Sequence, residues 1–126
     1  MHVFVWILQI VLAALFTNAG IQHFTLPPNL PAMNAWMYDM SPGLHAFAGT
    51  LELLGAAGLI LPGLTKIQTR LTPLAAAGLA LTMLGAAIYH IPRGEYPNIV
   101  GNLVFMALCA FVAYMRWKKI PLQDRA

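Results

Sequence analysis

Glu52 is the one acidic residue inside the long apolar stretches of this chain, set in LHAFAGTLELLGAAGLIL, where its immediate neighbours suit hydrocarbon. A carboxylate there costs on the order of several kcal/mol unless it is protonated, paired or wetted, so an intramembrane acid marks a candidate site. His23, His45 and His90 can donate, accept or carry a proton near neutral pH. Asn18, Asn98 and Asn102 add amides that both donate and accept. These types suit hydrogen bonding to a buried ligand and exchange of its proton. They do not suit a metal or haem by spacing, because no His-x-x-x-His, Glu-x-x-His or Cys-x-x-Cys-His pattern occurs. Cys109 is alone, which excludes an intrachain disulfide and dithiol redox chemistry. No catalytic residue can be assigned.

Four apolar runs must position these groups: Val3–Phe24, Leu44–Leu61, Pro73–Ile91 and Ile99–Trp117, each near the roughly 20 residues that cross a bilayer. With their flanking turn residues they predict spans over 3–24, 42–62, 73–91 and 98–118. The chain is 60% hydrophobic and 9% charged, against about 25% charged in soluble domains. The fold class is therefore an all-α membrane protein, a single domain over 1–126 forming an up-and-down four-helix transmembrane bundle. All nine prolines fall at or between the ends of the runs. Ser41-Pro42 and Thr72-Pro73 each place a hydroxyl N-cap before a proline at the first helical position. Pro62-Gly63, and Pro92 with Gly94, close the second and third helices. Ala48, Gly49, Gly55, Ala56 and Gly58, followed by Ala75 to Gly78, Gly85 and Ala86, allow close helix packing.

The net charge of +3 comes from topology determinants rather than a nucleic-acid stripe. Lys66, Arg70, Arg116, Lys118, Lys119 and Arg125 lie on one side and Arg93 on the other, which places both termini in the cytoplasm. The first run lacks a basic leader and a small-residue cleavage pattern, so it reads as a retained span. In this topology His23, His45, His90 and Asn98 stand at the outer helix ends. Glu52 lies seven positions below His45, roughly 10 Å deeper on the same stripe. Asn18 lies five positions inside His23, while Asn98 and Asn102 share a face of the fourth helix with Cys109. The inner halves offer only scattered Gln9, Thr17 and Thr82. The pattern predicts an outward polar funnel closed below: a pocket rather than a channel.

Several of these residues also have plainer roles. Asn18 and Asn102 can serve as interhelical glue, and Glu52 as a protonated acid donating to one of them. Met33, Met37 and Met40 share a face of the Asn29–Met40 loop and could form a soft lid. Trp36 and Tyr38 equally suit an interfacial anchor there. Arg93 and Glu95 read as solvated loop residues without chemistry.

AGIQHF at Ala19–Phe24, GTLELLGAAGLILPGLTKIQTRLTPLAAAGLALTMLGAAIYHIPRGE from Gly49 to Glu95, and the asparagine-led fourth helix together resemble DoxX-like membrane proteins. The most specific part is the second and third helices, which carry Glu52 and His90. The resemblance implies a four-helix protein of the bacterial cytoplasmic membrane. The group's name comes from a small subunit associated with a thiosulfate:quinone oxidoreductase. Others look tied to quinone or oxidative stress, and a distant animal relative is an assembly chaperone for nicotinic receptors.

Two functional classes follow. The first is a quinone- or lipid-binding accessory of a membrane redox system, with Glu52, His90, His45, Asn18, His23 and Asn102 around the ligand, quinone as the candidate cofactor, and a redox protein partner supplying the electron-carrying centre that the chain lacks. The second is a non-enzymatic assembly chaperone or interaction module, whose polar residues engage a partner helix. A homo-oligomeric scaffold is a third. The lipid bilayer is a partner in all of them, and nucleic acid in none.

Overall fold

A computed structural model describes residues 1–125. The chain forms α1 (His2–Thr25), a 3-10 segment (Ala32–Tyr38), α2 (Pro42–Thr65), α3 (Leu71–His90) and α4 (Tyr96–Tyr114), with a π-helical turn at Met115–Lys119 extending α4. All four long helices have the length and apolar character to cross a membrane. The fold is thus the all-α bundle expected. In each span a third or less of the most apolar window is buried inside the bundle. Phe4, Phe47, Leu54, Leu81, Ile88 and Val100 are among the large apolar side chains left exposed, a surface that only hydrocarbon can solvate.

Helices adjacent in sequence pack side by side, α1 on α2, α2 on α3 and α3 on α4. The bundle closes between α1 and α4 through long side chains: Phe4 meets Phe111 edge-on at 6.3 Å and Phe16 meets Phe105 at 6.0 Å. Val5, Leu12, Leu59, Leu79, Cys109 and Val112 form the apolar centre.

Ser41 caps α2 as its sequence predicts, its Oγ accepting from the Leu44 amide at 3.2 Å with Pro42 in the first turn. The expected boundary at Pro62 is corrected. α2 continues to Thr65 and stops at Lys66, which adopts a left-handed φ of 57°. Pro62 lies inside the helix and cannot supply the amide that the Gly58 carbonyl would otherwise accept. The Thr72 hydroxyl donates to that carbonyl instead, at 2.8 Å. For this reason Thr72 is not the N-cap of α3. The helix starts at Leu71, Arg70 holds the cap position, and Thr72 satisfies the backbone that Pro62 leaves open. One turn of α2 is thus tied to both neighbours, since Gln9 Nε2 also donates to the Leu59 carbonyl at 2.6 Å.

The end of the bundle carrying the termini is not wholly apolar, a second correction. Arg116 is 2% exposed. Its Nε donates to Gln9 Oε1 at 2.7 Å, its Nη1 donates to the Ile120 carbonyl and faces His2 Nδ1, both at 3.0 Å, and it lies over the Trp6 ring. A residue read as a topology charge is a structural one with its donors occupied.

Candidate functional site

At the opposite end, where the 3-10 segment lies, close helix approach brings Glu52 and two histidines together. A Cβ built on Gly49 would fall 3.0 Å from His23 Cβ and 2.7 Å from Phe24 Cε2, so only glycine lets this turn of α1 lie against α2. Gly20 is equally confined, against Leu53 and the Gly49 carbonyl. One turn on from Gly49, His23 Nε2 stands 3.2 Å from Glu52 Oε1, both side chains being nearly fully buried. His23 Nδ1 meets His45 Nδ1 at 2.8 Å, and His45 Nε2 donates to the Met37 carbonyl at 2.7 Å. The result is a buried line from the loop backbone through two imidazoles to the carboxyl.

His90, 2% exposed, does not join this line. Its Nδ1 donates to Glu95 Oε1 at 2.8 Å, and Glu95 also accepts from Arg93 Nε at 2.9 Å. Arg93 Nη2 reaches across to Asp39 Oδ2 at 2.8 Å, and its guanidinium lies 5.5 Å from the centre of the Tyr89 ring. Arg93 and Glu95, read from sequence as solvated, therefore join the two loops and orient His90. Burial alone would push the Glu95 carboxyl up, but the hydrogen bonds from Arg93 and His90 outweigh it and hold the group below the ordinary glutamate value. The same acidic partners push Arg93 further up from its already high value.

The Trp36 ring lies between the two clusters, edge-on to His90 at 4.8 Å between ring centres and 6.2 Å from His23. Beneath it a cavity of about 930 Å³ reaches all four helices. Glu52, His23, His90 and Asn102 line it, together with Asn98, Trp36 and many apolar side chains. Phe16 and Phe105 mark its deep end on α1 and α4, and Met33, Met37 and Met40 face it from the loop. A Cβ on Gly78, Gly85 or Gly101 would meet nothing within 4 Å, so on α3 and α4 these glycines leave space open where Gly49, Gly55 and Gly58 on α2 are closed in by their neighbours. Trp36 and Asn102, which border the cavity, each carry a side-chain donor, Nε1 and Nδ2, that is buried without a hydrogen-bond partner among the described residues.

Of the residues predicted to converge, Glu52, His23, His90 and Asn102 border one cavity, and His45 stands behind His23. Asn18 does not belong. It is exposed on α1 and points away from the cavity, because the turn that carries Phe16, Gly20 and His23 inward carries residue 18 outward. Sequence reasoning also missed Trp36 as a donor. Its place in a methionine-rich loop signalled an aromatic near the mouth but not which way the indole nitrogen would face. Among the described residues no group of His, Cys, Asp and Glu is arranged to hold a metal.

Four helices long and apolar enough to cross a membrane define a small multi-pass membrane protein, within which a buried acid stands beside a histidine. The chain belongs to the DoxX-like family, whose sequence profile matches residues 7–112. No curated protein and no solved structure matches it.

Proposed function

We propose that this protein binds a quinone, or a lipid whose head carries comparable oxygens, and acts as a small accessory of a membrane redox system. Both termini would face the cytoplasm of a bacterial cell, as the distribution of Lys and Arg favours. The observation that carries the reading is a pair of buried donors, Trp36 Nε1 and Asn102 Nδ2, unpartnered among the described residues and carried by side chains that border a largely apolar cavity. A buried N–H without an acceptor costs roughly 1–3 kcal/mol, which an acceptor oxygen on a ligand would recover. The cavity volume of about 930 Å³ lies in the range of small-molecule sites. Apolar walls would hold a ring and the start of a tail, while Glu52 and His90 stand at the same wall as acid and imidazole. A bound quinone would bring the electron-accepting ring that no residue of this chain provides, so the electrons must come from a partner.

The test is a titration of the protein in phosphatidylcholine nanodiscs with an alkyl-benzoquinone, reading tryptophan quenching. An alkylbenzene of equal length and added phospholipid serve as the alternative ligands. Saturable quenching by the quinone alone, reduced at least tenfold in affinity by Trp36→Phe with Asn102→Leu, supports the reading. Equal response to the alkylbenzene would reduce the site to apolar partition, and displacement by phospholipid alone would assign it to lipid.

One observation favours the second reading, an interaction module. Asn18 is exposed on a helix otherwise suited to lipid. An amide there gains from hydrogen bonding to a second helix, by about 0.6 kcal/mol in comparable cases. The two readings are compatible, with the cavity inside the bundle and a partner helix on the outer face of α1.

A further inference from the structure

The three contacts that link Met37, His45, His23 and Glu52 need three protons, one in each, because every atom facing another across them is a nitrogen or oxygen with a lone pair. Two neutral imidazoles carry only two. The Met37 carbonyl can only accept, so His45 carries a hydrogen on Nε2. If His45 is neutral its Nδ1 is then an acceptor, and His23 must donate to it from Nδ1 at 2.8 Å. A neutral His23 is left with a bare Nε2, 3.2 Å from Glu52 Oε1. An ionised Glu52 would set lone pair against lone pair in a buried contact. We infer that the line Glu52–His23–His45 holds one proton beyond those of its neutral imidazoles and a carboxylate, and that this proton is presented to the cavity for transfer to a bound ligand.

The proton has three places to reside, at Glu52 as a carboxylic acid, on His23 as imidazolium, or on His45 as imidazolium with the His23 tautomer reversed. In each of them one hydrogen lies between the two facing atoms of every contact. It cannot leave through the loop, because the Met37 carbonyl holds the far nitrogen as a donor and has no proton to pass on. It can leave on the cavity side, where Glu52 and His23 both line the wall. In the transfer, the O–H bond of Glu52, or the N–H bond of His23, breaks and an O–H bond forms on a ligand oxygen that has gained negative charge. What remains is a carboxylate opposite a bare imidazole nitrogen, a contact that must open until a proton returns. The 3.2 Å separation is already the longest of the three, so it is the one to part.

The other groups facing this line do not supply the proton. Trp36 and Gln22 are not titratable side chains, and the Tyr89 ring packs against Trp36 and His90 rather than against this line. His90 has its Nδ1 hydrogen committed to Glu95 and lies across Trp36 from His23. Arg93 and Asp39 are paired with each other beyond it. The inference rests on the ligand reading above only for the fate of the proton; its presence is a property of the ligand-free chain.

The two are tested apart. Protein labelled with ¹⁵N-histidine and ¹³C-glutamate is reconstituted in phosphatidylcholine bilayers without added ligand, and solid-state NMR at neutral pH reads both histidine tautomers and the Glu52 carboxyl. The expected result is an Nε2 hydrogen on His45 together with either a protonated Glu52 carboxyl or one imidazolium. Glu52→Gln supplies its own amide hydrogen to His23, so that variant should show two neutral histidines, Nδ1–H on His23 and Nε2–H on His45. Two neutral histidines beside an ionised Glu52 in the wild type would overturn the inference, whatever ligand the cavity takes. Quinone binding without the extra proton, or the proton without quinone binding, would each leave one conclusion standing and remove the other.

Discussion

Gly49→Ala should cost far more than its one methyl group suggests. The added Cβ would sit 2.7 Å from Phe24 Cε2 and 3.0 Å from His23 Cβ, where ordinary contact begins at 3.4 Å. The Phe24 ring can rotate away, but the His23 Cβ is fixed to the α1 backbone, so the helices must part there by a few tenths of an ångström. Overpacking of that kind costs roughly 1–3 kcal/mol. The same displacement acts on the His23–Glu52 contact at 3.2 Å, and separating that pair leaves buried polar atoms unmatched, at a further cost of about 1–3 kcal/mol. A total loss of roughly 2–6 kcal/mol follows. Gly78→Ala is the control, because nothing lies within 4 Å of its built Cβ and the change removes a helical glycine. It should be neutral or stabilising by up to about 1 kcal/mol. Reversible unfolding of both variants in mixed detergent micelles makes the comparison. If Gly49→Ala unfolds no more easily than Gly78→Ala, the account of how α1 and α2 position the site is wrong.

Glu52→Leu should destabilise the protein by roughly 1–3 kcal/mol, since His23 Nε2 loses the carboxyl it faces, whereas Glu52→Gln should stay within about 1 kcal/mol of wild type; the same unfolding assay separates them. Glu95 is held below its ordinary value of 4.5, so its contribution to stability is fully present above that pH and is lost as the pH falls through the lower folded value. Unfolding measured at pH 6 and pH 3.5 should therefore show an acid-induced loss that shrinks in Glu95→Gln. Arg116→Lys keeps the charge but cannot reach Gln9, His2 and Ile120 together, and should cost roughly 1–3 kcal/mol with no effect on quinone titration at the far end of the bundle.

Much of this arrangement was legible from residue types. Length and apolar character located four spans, prolines and hydroxyls located most turns, and Glu52 stood out because lipid makes a lone acid costly. Depth was legible too, since helix ends fixed which polar groups share a level, and four of the six expected site residues border one cavity. Rotation about each helix was not. In water an amphipathic face reveals which side is inward, but here the outward faces are as apolar as the inward ones, and the signal is gone. Asn18 was misplaced for that reason, and Arg116 was read only as a topology charge. Thr72 and Pro62 were misread because their roles are linked across two helices: a local cap and a local stop look the same in sequence as a carbonyl freed on one helix and satisfied from the next. Arg93 and Glu95 lie on a short loop whose partners, His90 and Asp39, only folding reveals.

The central claim is that the cavity beside Glu52 takes an oxygen-bearing apolar ligand through Trp36 and Asn102. The most direct test is native mass spectrometry of protein extracted in mild detergent, with the bound molecule released and identified. Wild type should carry a quinone or a lipid of defined mass, and the Trp36→Phe, Asn102→Leu variant, equally well folded, should carry far less of it. A folded wild type that retains nothing the double variant lacks would contradict the claim.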